Sequence, residues 1–158
     1  MRRLLLAALV ATTLLHARAA SAQRREITIT VPAGVSFLVP DISAPTAGSP
    51  GTSQVAFTPL TLRAGDRLRI SVRAASPTFS GPGGTGIPAS AVSWTATAAA
   101  GTASGGTLSS SAYSQLYVSA ANPAAGSVGV SWLLGSIAAA GLRAGTHTLT
   151  VRWRVELF

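Results

Sequence analysis

The chain has 158 residues and a formal charge of +8 at pH 7, yet only 10% of its residues are charged, against a usual quarter. All of its basic residues are Arg, and its acids are Glu26, Asp41, Asp66 and Glu156. It contains no Cys, which excludes disulfide scaffolds, thiolate metal sites and cysteine nucleophiles.

The first element in chain order is an export signal over residues 1–22. Met1-Arg2-Arg3 is a short positive segment, and Leu4 to Leu15 is an apolar run. Ala20-Ser21-Ala22 is a small-x-small cleavage site, which makes Gln23 the expected first mature residue. As a helix the apolar run would span about 18 Å, well short of a bilayer core of about 30 Å. A cleaved signal fits better than an anchor, and the general secretory route fits better than a twin-arginine one. No later apolar stretch is long enough to cross as a helix. Residues 23–158 are expected to form one exported domain, in the periplasm, at the cell surface or outside a bacterium.

From Glu26 onward the pattern has period two. Ile27, Ile29 and Val31 alternate with Thr28 and Thr30, and Val35 to Val39 follows after Pro32-Ala33-Gly34. Leu60 to Leu62 is a short candidate strand. From Arg67 to Arg73, Leu68, Ile70 and Val72 oppose Arg67, Arg69, Ser71 and Arg73. Val92, Trp94 and Ala96 alternate with Ser93, Thr95 and Thr97. Leu116 and Val118 oppose Tyr117. Val128, Val130, Trp132 and Leu134 form one face of a further strand. The last and longest runs to Leu157, with Leu149, Val151, Trp153, Val155 and Leu157 opposing Thr148, Thr150, Arg152, Arg154 and Glu156.

About eight short strands separated by Gly, Pro and Ser clusters predict an antiparallel β-sandwich. Trp94, Trp132 and Trp153 share parity with Val and Leu, so they are expected in its core. Residues 75–90 and 98–114 are expected as low-charge surface loops. Leu-Arg-Ala-Gly occurs at 62–65 and again at 142–145. Each Gly is expected to supply a positive-φ turn before a strand. A small membrane β-barrel would also alternate, but its strands need about nine to eleven residues.

Catalytic chemistry has little to work with. His147 is the only His beyond the signal, and a triad would have to join it to a Ser and to Asp41 or Asp66. No Gly-x-Ser-x-Gly occurs. No window holds two acids close together, so neither a metal site nor a cofactor is expected. The charged feature with geometry is an Arg face. Arg67, Arg69 and Arg73 point one way from one strand, and Arg152 and Arg154 point one way from another. If those strands are neighbours, the face could hold an anionic glycan or an acidic partner. Nucleic acid is not expected, because Tyr113 and Tyr117 are not interleaved with the Arg strands.

The final segment, with Gly145 followed by Leu149, Val151, Trp153, Val155 and Leu157, resembles the last strand of secreted bacterial immunoglobulin-like envelope proteins, including pilin-like subunits. Leu157 stands where an aromatic is usual, and the Cys pair common in such subunits is missing. The resemblance implies an immunoglobulin-like sandwich and a non-enzymatic structural or assembly role, with self or other envelope proteins as partners. Ile27, Ile29 and Val31 could then serve as a donor strand that completes a neighbour's sheet by β-augmentation. A binding module that uses the Arg face for carbohydrate or anionic polymer is the alternative.

Overall fold

A computed structural model describes residues 25–79, 81–82, 86–136 and 143–158. The export signal at 1–22 lies outside them. The described residues form strands β1 (Glu26–Thr30), β2 (Val35–Val39), β3 (Thr46–Ala47), β4 (Ser53–Thr61), β5 (Leu68–Ala74), β6 (Thr78–Phe79), β7 (Ile87–Pro88), β8 (Val92–Ala98), β9 (Thr102–Ala103), β10 (Gly106–Thr107), β11 (Ser114–Val118), β12 (Gly126–Leu134), β13 (Gly145–Leu149) and β14 (Val151–Leu157). The fold is all-β, and its strand pairs are antiparallel. No helix among the described residues is long and apolar enough to cross a membrane.

Two open sheets carry the architecture. The first runs β1-β4-β12-β8-β10, with β3 beside β12; the second runs β14-β5-β11-β9. Ring contacts show that their inner faces meet. Phe57 of the first sheet lies 5.6 Å from Tyr117 of the second, and Trp132 lies 6.3 Å from Trp153. Alternation explains which residues are inside. Val55 and Phe57, Val128, Val130 and Trp132, and Leu68, Ile70 and Val72 are all buried, as the pleat requires. Trp94 and Trp132 are buried, while Trp153 is only partly so. The Trp94 indole donates to the Ser104 carbonyl at 3.0 Å and the Trp132 indole to Ser53 Oγ at 3.2 Å. The buried Trp153 Nε1 has no partner among the described residues.

Both repeated turns have the expected hand, with Gly65 at φ +89° and Gly145 at φ +137°. A side chain would strain the backbone at either position.

Several expectations change. The short strand expected at Leu60–Leu62 is the end of a nine-residue strand, Ser53–Thr61. Pro59 is tolerated there because β12 pairs with β4 only as far as Phe57, so no bond to that side needs a Pro N–H. The long final strand breaks at Thr150. Its first part pairs with β2 and its second with β5, so one alternating run serves two sheets. Residues 98–114 do not form a plain loop: Thr102–Ala103 pairs with β11 and Gly106–Thr107 with β8, tying the two sheets together. A bulge between Gln115 and Tyr117 inserts Leu116 into β11. Leu116 and Tyr117 are consequently both buried, where strict alternation would put Tyr117 outside.

Trp132 is 3% exposed and touches both other indoles. Trp132→Ala should lower the unfolding free energy by about 3–5 kcal/mol. Trp153→Ala, at the half-open margin, should cost less. Urea titration of the two variants side by side checks the ranking.

Candidate functional site

The two Arg strands are neighbours. β14 pairs with β5 along its length, with Arg152 opposite Arg73, Arg154 opposite Ser71 and Glu156 opposite Arg69. Arg67, just before β5, exchanges main-chain bonds with Phe158 at 2.9 and 3.0 Å. Alternation on both strands therefore gathers Arg67, Arg69, Arg73, Arg152 and Arg154 on the outer face of the second sheet. Glu156 is the single acid among them. It lies 3.1 Å from Arg154 and 3.9 Å from Arg69.

Aromatic rings complete the face. Arg69 lies over the Phe158 ring at 4.5 Å, and Tyr113 takes Arg73 at 5.0 Å and Arg154 at 5.1 Å. Such contacts hold a guanidinium flat without neutralising it. Tyr113 was not legible as part of this face. It is far from both Arg strands in sequence and arrives through β11, the other neighbour of β5. Arg73 also donates to the Ser110 carbonyl at 2.8 Å. Its Nε and that of Arg69 are buried without partners among the described residues. Arg73 and Arg152 are direct cross-strand neighbours of like charge, an arrangement that destabilises a sheet.

The strand-assembly residues divide. Ile27 and Ile29 are half-buried on β1, and Val31 is exposed just beyond it. β1 is already paired with β4 of its own chain, so a donor role would require its release. Leu149 and Val151 are buried, and Gly145 opens β13. Trp153, Val155 and Leu157 are half-buried on β14, which forms one margin of its sheet. Arg25 clasps this corner. It donates to the Leu157 carbonyl at 3.2 Å and meets the buried Asp66 carboxylate at 3.3 Å. Asp66 also accepts the Arg63 N–H at 2.8 Å. A candidate acid of the sequence is thus a structural anchor.

His147 is fully buried on β13, with Nε2 3.1 Å from the Arg143 carbonyl. It pairs with no carboxylate among the described residues, so the triad left open by the sequence is not assembled there. Asp41 is fully exposed and bonded to the Ser43 N–H at 2.9 Å and hydroxyl at 2.7 Å. Those bonds hold its carboxyl below the usual range. A separate hollow of about 180 Å³ is lined by Phe57, Tyr117, Asn122, Pro123 and several Ala, with no charged residue. Burial pushes the Tyr117 phenol up.

No family model, no curated protein and no solved structure matches the chain.

The Arg73 and Arg152 pair has a measurable consequence. Arg152→Glu should raise stability by about 0.2–1 kcal/mol, because it replaces like charges with opposite ones. The gain should shrink in 1 M salt. Urea unfolding at low and high salt tests both statements.

Proposed function

We propose that the chain is an exported, non-enzymatic structural subunit of a bacterial cell envelope or surface. In this reading it is an immunoglobulin-like sandwich that assembles by strand addition. The observation that carries the proposal is the margin of β14, which no strand among the described residues covers, with Trp153, Val155 and Leu157 half-buried along it. An added strand would satisfy the margin's main-chain groups and cover those side chains. The outer face of the first sheet supports the same role. Thr28, Gln54, Ala56, Thr58, Thr95 and Thr97 are exposed there. Packing a face whose one acid, Glu26, sits at the end of β1 against a neighbour desolvates little charge.

Sedimentation velocity over a concentration series tests the proposal. The mature protein should associate as concentration rises. Val155→Pro should remain folded but monomeric, because the Val155 N–H points away from β5 and its loss removes no bond within the sheet. A native protein that stays monomeric at high concentration overturns the proposal.

Binding of an anionic polymer is a second reading, favoured by one observation: Arg73 faces Arg152 with a single acid on the whole face. A polyanion would relieve that repulsion. Retention on heparin should fall steeply with salt. Arg69→Ser and Arg152→Ser should each elute at lower salt than the native protein. Retention independent of salt rules this reading out.

A further inference from the structure

We propose that the strand added at β14 belongs to a second copy of this chain, joined antiparallel about a two-fold axis through Val155. This inference rests on the strand-addition reading and names its partner and register. The mutual bonds between Arg67 and Phe158 fix which main-chain groups turn away from β5. Bonded pairs alternate along an antiparallel ladder. The N–H and C=O groups of Arg152, Arg154 and Glu156 therefore turn toward β5. Those of Val151, Trp153, Val155 and Leu157 turn outward, at the margin of the sheet, where the Leu157 carbonyl already accepts one hydrogen bond from Arg25.

Two copies of β14 can pair through those outward groups in only a few two-fold registers, and side-chain charge separates them. An axis at Arg152 sets that guanidinium against its own mate, and an axis at Arg154 does the same at its centre, although it sets Arg152 against the partner's Glu156 on either side. An axis at Trp153 sets Arg152 against the partner's Arg154. An axis at Glu156 sets two carboxylates together over a short overlap. Like charges placed directly opposite each other are unfavourable in every one of these registers. An axis at Val155 differs. It places Arg154 opposite the partner's Glu156 and Glu156 opposite the partner's Arg154. It also brings Arg152 to the partner's Phe158, a ring that already accepts a guanidinium from Arg69. No Arg then faces an Arg across the new pair. Val155 bonds its own mate, and Trp153 bonds the partner's Leu157 on either side, the Leu157 carbonyl taking Trp153 on the lone pair that Arg25 leaves open. The half-buried Trp153, Val155 and Leu157 gain cover, and the two four-stranded sheets become one continuous sheet.

The absence of Cys makes the register directly testable in the full mature chain. Arg154 and the partner's Glu156 would form a non-bonded cross-strand pair, with Cα atoms about 4.5 Å apart, within disulfide reach. Arg154→Cys protein mixed with Glu156→Cys protein should give a disulfide-linked heterodimer under mild oxidation, while neither variant links to itself. Self-linking of Arg154→Cys or of Arg152→Cys overturns the register. Glu156→Arg should weaken association on the order of tenfold or more, and Arg154→Glu combined with Glu156→Arg should restore it. If the native protein associates, Val155→Pro abolishes association and no mixture crosslinks, then strand addition stands and this partner geometry is wrong. If the native protein never associates, both proposals fall.

Discussion

The chain of three indoles is the contact on which the rest of the structure depends. Trp94 and Trp132 face each other across β8 and β12, with ring centroids 6.2 Å apart. Trp132 then meets Trp153 edge-on at 6.3 Å. The first contact lies within one sheet and the second joins the two sheets. With no disulfide to staple it, the sandwich relies on such packing for its stability. The series also runs outward. Trp94 and Trp132 are buried with satisfied N–H groups, whereas Trp153 is half-exposed on the marginal strand. The core therefore reaches the same margin that no strand among the described residues pairs.

The inward set of residues was largely legible in the sequence because it rests on one local rule. Parity alone places Ile70, Val72, Val130, Trp132, Leu149 and Val151 inside, and all are buried. What parity cannot show is which sheet a strand joins. The run from Gly145 to Leu157 keeps its rhythm across Thr150 while its partner changes from β2 to β5. Parity also fails wherever a residue is inserted. The bulge at Leu116 turns Tyr117 inward, and nothing in Gln-Leu-Tyr-Val marks it. The start of β4 was also missed: the strand begins at Ser53 and runs through Pro59, where pairing with β12 has already ended.

The candidate site divides in the same way. The Arg residues could be assigned to one face from two alternating runs, but their meeting depended on β5 and β14 being neighbours. Tyr113 lies outside both runs and reaches the face through a third strand. Asp66 looked like a free acid, since its partner Arg25 lies far away in sequence, at the start of β1. Long-range pairs of this kind are fixed by topology, and topology is the part of a β-fold that local pattern specifies least.

A free strand margin is ordinarily a hazard that proteins blunt with charge, Pro or a bulge. β14 contains no Pro, pairs with β5 without a register shift and directs Val, Trp, Val and Leu toward the core. Its charges sit on the opposite parity, at Arg152, Arg154 and Glu156. In that position they do not close the margin; in the proposed pairing they would select what docks there. A strand that offers neutral or basic residues in the wrong register leaves Arg facing Arg or Arg facing nothing. A strand that brings a carboxylate to Arg154 is favoured. Repulsion against wrong registers gives specificity that main-chain bonding alone cannot supply. The like-charge pair of Arg73 and Arg152 fits this scheme. Its cost is borne inside the folded chain, and a carboxylate brought beside Arg152 would offset it.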